Sequence, residues 1–218
     1  PDTTLNLADN PDLSQVEADA AQLDINNQFA LYFPEKRPFF LEGADYFNTP
    51  FNAVFTRSVA DPSIGVKVTG KRGDHTYGFF AAEDDVTNLI FPGAFGSDSE
   101  SLSQENTTLV GRYSRGFGNA SSVGALVTNR SGDGYDNTVA GFDINWKIND
   151  QHRLQLQHLR STTEYPDTVA TEFDQPLGSF EGDGTFVLYD YDSRDWFAWL
   201  RPRERSSGFR ADAGFIPQ

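Results

Sequence analysis

Apolar and polar positions alternate with a period of two along most of the chain, and the first clear example is IGVKVTGKRGDHTYGFFAAE, residues 64–83. Ile64, Val66 and Val68 alternate with small or polar residues, and the second half of the stretch repeats the pattern. Successive side chains of a strand point to opposite faces, so this spacing predicts two strands, each with one apolar face. Gly73 between them tolerates a positive φ. The stretch therefore predicts a β-hairpin.

The same alternation returns along the rest of the chain. It predicts further strands at 107–114, 121–128, 138–147, 152–160, 185–191 and 196–203, and the start of another at 206–218. The clearest strand has an apolar face opposite a polar one, with Phe142, Ile144 and Trp146 against Asp143, Asn145 and Lys147. Because one face of each strand is apolar and the other is polar or small, the sheet must separate two different environments.

The connections between these strands differ in length in a regular order. Short turns lie near Gly73, Gly118, Asp150 and Arg194, and they alternate with longer loops that begin near Asp84, Arg130 and Thr162. Short turns on one rim and long loops on the other are typical of a bacterial outer-membrane β-barrel, whose strands place apolar side chains on lipid and polar ones in the lumen.

The predicted fold class is therefore all-β, an antiparallel up-and-down meander. We expect residues 64–218 to form the hairpins of part of a larger outer-membrane β-barrel. Phe142, Ile144 and Trp146 would then face lipid, and their polar neighbours would face the lumen. A soluble β-sandwich is the alternative, because its strands also pack one face inward and expose the other.

Residues 1–63 are predicted to hold a lead-in, a first strand and an aromatic loop. Residues 1–10 are polar and predict a flexible lead-in. Residues 14–24 fit either a strand or a helix capped by Ser14, and the clean alternation up to Ala20 favours the strand.

The segment 26–52 contains PEKRPFF and is rich in aromatic residues and prolines. Its prolines keep it out of a strand ladder, and so much aromatic surface would be an apolar patch if left in water. A loop packed by its own aromatics is the plainer interpretation. The other is a loop that folds into the barrel mouth or lumen. Lys36 and Arg37 would then pair with lumen acids or with Glu35 and Glu42, and Phe39 and Phe40 would pack against inward residues such as Phe80. The candidate ligand-binding side chains are Glu35, Lys36, Arg37, Phe39, Phe40 and Glu42.

The charge of the chain excludes some classes of partner. The net charge is −15, from 17 basic and 32 acidic residues. Residues 83–105 and 164–183 each hold six acids and no lysine or arginine, so the acids concentrate in two predicted loops. Phosphate backbones need basic patches, so nucleic acid is not an expected partner. No apolar run approaches the roughly 20 residues of a transmembrane helix, which excludes a helical membrane protein but not a membrane barrel.

The sequence has no recognisable catalytic constellation. It lacks cysteine, and its three histidines, His75, His152 and His158, are predicted rim or surface residues. Two glycine-containing acidic stretches, 131–137 and 181–186, carry the oxygen ligands that calcium prefers without the full loop pattern. We therefore expect no catalytic residue, no metal and no cofactor, and the sequence favours a non-enzymatic protein. A pair of loop carboxylates acting in glycoside hydrolysis is the alternative.

Two stretches carry a resemblance to a known family. NPDLSQVEADAAQL followed by FALYFPEKRPFFLEGADYF, and the later FRADAGFIP, resemble a family of Gram-negative proteins. In that family an outer-membrane barrel-like domain of unknown function follows an N-terminal domain similar to family-nine carbohydrate-binding modules. The module itself is not in this sequence. The resemblance implies an outer-membrane location and a link to glycans, and it supplies no catalytic residues.

The expected function is that of an outer-membrane β-barrel segment in contact with membrane lipid or lipopolysaccharide. Binding or uptake of carbohydrate is the expected role that the resemblance adds. Two alternatives stay open: a carbohydrate-active hydrolase that uses loop carboxylates, and a soluble β-sheet binding module.

Overall fold

The computed structural model describes residues 2–10, 35, 37–93 and 96–216. Its strands are β1 (Asp2–Asp9), β2 (Pro62–Arg72), β3 (His75–Asp84), β4 (Thr87–Gly93), β5 (Gly96–Leu102), β6 (Asn106–Phe117), β7 (Ser121–Gly132), β8 (Tyr135–Lys147), β9 (His152–Glu164), β10 (Phe180–Asp192), β11 (Phe197–Leu200) and β12 (Arg203–Arg205). Two short α-helices are α1 (Pro38–Leu41) and α2 (Asp167–Glu172), and 3₁₀ turns span Ala44–Phe47 and Thr56–Ser58.

The predicted antiparallel meander is confirmed. The main sheet has the order β1-β2-β3-β6-β7-β8-β9-β10-β11, with β12 also on β10, and each pair within it is antiparallel. Strands β4 and β5 form a separate hairpin. Among the described residues β1 and β11 do not pair, so this sheet is open and is not closed into a barrel.

Two tight turns depend on glycine. Gly73, between β2 and β3, has φ 57°, as its position in the predicted hairpin requires. Gly134, between β7 and β8, has φ 64°. Because L side chains rarely adopt this left-handed conformation, glycine allows both turns to close within two residues.

Two predictions at the chain ends are wrong. Residues 2–9 are strand β1 rather than a flexible lead-in, and their register pairs Leu5 with Val68 and Leu7 with Val66. The 206–218 strand is absent from 206–216, which instead run across the main sheet in irregular conformation. The predicted 14–24 strand lies outside the described residues.

The predicted long loops are more structured than expected. The 129–137 loop is a tight turn, because polar residues as far as Gly132 continue the β7 ladder. The first acidic loop folds into the β4–β5 hairpin, and the second contains α2. After β2 only the β3–β6 and β9–β10 connections are long, so the predicted alternation fails at the two-residue β7–β8 turn and the contrast between the rims is smaller than the sequence predicts.

The main sheet has one covered face and one bare face. Two stretches, 37–59 and 206–216, lie on the covered face, and they are named the covering segments below. The principal apolar core lies between them and the sheet: Phe39, Phe40, Phe47, Phe51, Ala53 and Val59 of the first segment and Phe209 and Ala211 of the second meet Phe80, Val110, Val139, Leu159 and Phe186 of the strands. At Gly182 the chain of residues 208–209 approaches so closely that a Cβ would lie 2.1 Å from the nitrogen of Phe209.

A second apolar cluster lies beside the long connections. It joins the β4–β5 hairpin to the β9–β10 connection and contains Leu89, Phe91, Tyr135, Tyr165, Val169 and Ala170. Phe91 packs edge-on against Tyr165, with ring centroids 5.2 Å apart. The acidic connections are therefore anchored by apolar side chains that the charge pattern did not reveal.

Candidate functional site

Helix α1 places two aromatic side chains on the covered face. Pro38 occupies the first helical turn, where the missing N–H costs nothing, and Phe39 and Phe40 are both buried. The ring centroid of Phe40 lies 6.2 Å from that of Phe80 in an edge-on contact, and 4.9 Å from that of Phe39. The predicted packing of this loop against the inward side of the sheet is therefore confirmed at Phe80.

Arg37 and Glu35 form a buried ion pair, which is one of the two pairings predicted for Arg37. The Arg37 Nε and Nη2 atoms each donate to one carboxylate oxygen of Glu35 at 2.9 Å. Arg37 also donates to the carbonyl oxygens of Val59 at 2.8 Å and Thr56 at 2.9 Å, and its guanidinium lies 4.3 Å from the ring centroid of Phe40. Burial alone raises the pKa of Glu35, but the hydrogen bonds and charge of Arg37 outweigh it and lower that pKa to about 2.

The backbone of the segment that holds the other predicted ligand-binding residues is bonded in the interior, whereas the Glu42 side chain lies at the surface. Lys67 of β2 donates to the backbone carbonyls of Phe39 and Glu42, so it fastens α1 to the sheet. The exposed Glu42 carboxylate accepts a hydrogen bond from Asn6 of β1 at 2.7 Å. Lys36 lies outside the described residues. The contacts of this loop are internal, and its role in ligand binding stays a prediction.

Replacing Glu35 with glutamine should destabilise the protein by about 1.5 kcal/mol at pH 7, because Arg37 would keep neutral hydrogen-bond partners but lose its counter-charge. The folded-state pKa of Glu35 is depressed from 4.5 to about 2, so this stability is present above pH 4.5 and is lost as the pH falls toward 2. Urea unfolding of wild type and E35Q from pH 7 to pH 2.5 measures the difference. Glu105→Gln, an exposed acid, is the matched control, and a gap that did not narrow in acid would contradict the assignment.

Arg130 of β7 is a buried centre that joins several parts of the chain. Its guanidinium donates to Asn106 Oδ1 at 3.0 Å and to the carbonyl oxygens of Ser58 at 3.1 Å and Asn88 at 2.6 Å. The Asp84 carboxylate lies 3.7 Å away, and both side chains are fully buried. One arginine therefore holds the first covering segment, the β4–β5 hairpin and the main sheet together.

Asp212 of the second covering segment completes this polar centre. Its carboxylate accepts hydrogen bonds from the hydroxyls of Tyr135 at 2.9 Å and Tyr165 at 3.0 Å. Desolvation raises the pKa of Asp212 from its usual value, against the opposing pull of these hydroxyls and of Arg130. Burial, and then the nearby Asp212 charge, raise the pKa of Tyr165 well above its usual value.

The covered face is unusually polar for an interior. Buried polar or charged side chains that point to it come from five strands, β2 and β6 to β9: Lys67, Thr69, Thr108, Arg112, Thr128, Arg130, Asn137, Asp143, Gln157, Ser161 and Thr163. Most have internal partners, such as the ion pair of 2.8 Å between Arg112 and Asp143 and the 2.7 Å bond that Gln157 accepts from the Phe51 N–H.

Near the short turns the covered face opens into a cavity of about 560 Å³. Charges of both signs and aromatic rings line it: Lys147, Arg153, Asp190, Asp192, Phe197 and Trp199. The covering segments therefore cover this face away from the short turns and leave its short-turn end accessible.

The bare face carries the apolar side chains that the alternation predicted. Its exposed large hydrophobic residues extend from β1 to β8: Leu5, Leu7, Ile64, Phe79, Leu109, Tyr113, Val123, Val127, Phe142 and Trp146. Phe142 and Trp146 are each 46% exposed, whereas Asp143 between them is 8% exposed. The two predicted faces of this strand are therefore confirmed, and nothing in the described part of the chain covers the apolar one.

Aromatic side chains mark the short-turn edge of the bare face. The Tyr113 hydroxyl lies 2.7 Å from His75 Nδ1, and the Tyr189 hydroxyl lies 2.6 Å from His152 Nδ1. Trp146 stands between them in the sheet order, opposite Leu154 of β9. The three histidines are not brought together, and across the described ranges no three His, Asp or Glu side chains converge as a metal site would require.

The comparisons with known proteins bear on the N-terminal part of the chain. A family described as a domain of unknown function (DUF5916) matches residues 2–77, which run from β1 into β3. That match includes the PEKRPFFLEG stretch and leaves FRADAGFIP outside it. No curated protein and no solved structure matches the chain. Among the described helices, none has the length and apolar character needed to cross a membrane.

Sequence reasoning missed the centre formed by Arg130, Asp212, Tyr135 and Tyr165. Extending the period of two from Thr128 would have placed Arg130 on the covered face, because the β7 ladder continues to Gly132. Nothing local, however, indicates the contacts with residues 58, 88 and 212. These partners come together only when both covering segments are in place.

Proposed function

We propose that this chain is a lipid-facing part of an outer-membrane β-barrel and that its role is structural or transport-related rather than enzymatic. The observation that carries the proposal is that the sheet leaves an apolar face bare while its covered face buries charged and polar side chains beside the apolar core. Leu7, Val127 and Phe142 on the bare face are 73%, 49% and 46% exposed, while Lys67 and Gln157 on the covered face are 2% and 0% exposed. A sheet that folds in water normally buries its apolar face and exposes its polar one.

The size of the strands supports the same proposal. Strands β6 to β10 have 12 or 13 residues each. A tilted strand crosses the hydrocarbon core of a membrane with about 9–11 residues. The strands are thus long enough to span a bilayer, with their ends in the interfacial regions.

The aromatic edge supports a position at a membrane interface. Tyr113, Trp146 and Tyr189 lie at the same end of three strands, where an amphipathic ring can contact lipid with one side and water or head groups with the other. In this arrangement the covering segments occupy the lumen, and the cavity beside Trp199 opens at the short-turn rim. The link to glycans stays a prediction from the resemblance.

The test is fractionation of cells that produce the full-length protein, followed by gel electrophoresis with and without heating. We expect the protein in the membrane fraction, extraction only with detergent, and faster migration of the unheated sample, because a barrel stays compact in the gel. A protein that stays in the soluble fraction without detergent would overturn the proposal and favour a soluble β-sheet module. In that case an analytical ultracentrifuge should also show no bound detergent.

A further inference from the structure

Three basic side chains lie side by side on the bare face at the short-turn rim. The register pairs Arg72 of β2 with His75 of β3, and His75 with Arg115 of β6. All three residues are exposed. Side chains directly opposite one another on neighbouring strands lie about 5 Å apart at Cβ, so these three form one compact group. It is named the basic triad below.

Acidic side chains do not neutralise the basic triad. Within the described residues neither Arg72 nor Arg115 has a carboxylate within 4.0 Å. Asp74, in the same turn, contributes its backbone carbonyl to the Gly116 N–H at 2.8 Å and has no ion pair there. The two arginines flank His75 on the two neighbouring strands, so an anion between them would meet a guanidinium from each side.

The surroundings of the basic triad indicate where the anion would come from. Tyr77 and Tyr113 lie on the bare face one step further into the strands, and Tyr113 bonds His75 through its hydroxyl. Beyond them the face becomes purely apolar at Phe79 and Leu109. This order of cations, then amphipathic rings, then apolar side chains matches the order of phosphate, interface and acyl chain in a lipid leaflet.

We propose that the basic triad binds the phosphate of an anionic phospholipid in the leaflet beside the short-turn rim. This inference rests on the proposed function. Each arginine presents a planar fork of N–H donors that fits two phosphate oxygens, and the pair spans one phosphate from both sides of His75. The acyl chains of the same lipid would lie against Phe79 and Leu109.

The experiment uses the purified chain in neutral maltoside micelles. Sedimentation first establishes that the chain carries detergent, which tests the proposed function separately. Phosphatidylglycerol is then titrated into the micelles while the ring resonances of His75, identified with H75Q, are followed by nuclear magnetic resonance. Phosphatidylcholine and inorganic phosphate are titrated in parallel.

We expect saturable shifts with phosphatidylglycerol and a loss of apparent affinity of about tenfold or more in the double variant R72Q/R115Q. The control K147Q/R194Q removes two cations from other parts of the same rim and should keep the wild-type affinity. Equal shifts with phosphatidylcholine, or an unchanged affinity in R72Q/R115Q, would overturn the inference even if the chain binds detergent. Tighter binding of inorganic phosphate than of phosphatidylglycerol would overturn it in favour of a free-anion site.

Discussion

Replacing Arg130 with methionine should lower the free energy of unfolding by about 3–5 kcal/mol. The variant would leave the buried Asp84 carboxylate without its cation and would remove the donors to the carbonyls of Ser58 and Asn88. Methionine fills much of the same volume, so the decrease in the free energy of unfolding would come from the lost charge and hydrogen bonds more than from a cavity. Urea unfolding in detergent, followed by tryptophan fluorescence, measures this change in the free energy of unfolding.

The matched control is Arg194→Met, which removes an exposed arginine from the short turn after β10. Surface substitutions of this kind change stability by about 0.5 kcal/mol or less. Limited proteolysis adds a local readout, because Arg130 joins three segments: the first covering segment and the β4–β5 hairpin should become sensitive in R130M before the strands do. An equal stability of R130M and R194M would show that the contacts of Arg130 do not hold these segments.

The meander could be predicted because its signal is local. Alternation in stretches such as 138–147 depends only on neighbouring residues, and one strand face is apolar whether lipid or protein covers it. The predicted end of a strand is wrong where both faces of that strand are polar. Asn129 and Ser131 continue β7 without any apolar residue to mark the strand, so the sequence predicted a loop there.

The second covering segment shows how a correct pattern can lead to a wrong element. Phe209, Ala211 and Ala213 alternate as in a strand, and all three are buried. Their backbone makes isolated contacts instead of a ladder, such as the 2.8 Å bond from the Phe55 N–H to the Ala213 carbonyl. Burial itself does not alternate here, because Arg210 and Gly214 are buried as well, so the apolar spacing reflects packing of an irregular segment on the sheet and not a strand.

The candidate site was only partly accessible from sequence for a related reason. Glu35 and Arg37 are two residues apart, and Phe40 needed only an inward-facing partner, so simple rules for buried charge and aromatic surface predicted both contacts. Asp212 and Arg130 are far apart in the chain and meet through tertiary packing. No periodicity or spacing encodes such a contact without homologous sequences or a structure.

Substituting Ile144 with arginine should impair membrane assembly far more than the same change at Asn145. Ile144 lies on the bare face between Val123 and Leu156, and arginine there would place a charge in lipid. We expect I144R to destabilise the membrane-inserted protein by about 2 kcal/mol. This is the low end of the range for a charge near the bilayer midplane, because Trp146 marks the interface two residues away. Asn145 lies on the covered face beside Ser122 and Gln155, where arginine meets polar groups.

The two variants change neighbouring residues of one strand, so differences in expression or in strand propensity are largely matched. Ile144→Val keeps the apolar character and serves as the third member of the series. Urea unfolding from lipid vesicles and the heat-dependent gel shift should rank the proteins as I144V and N145R near wild type and I144R clearly lower. If the sheet instead faced water on its bare side, I144R would remove apolar surface from water at no cost. Equal stability of I144R and N145R would therefore count directly against a lipid-facing role, whatever the covered face does.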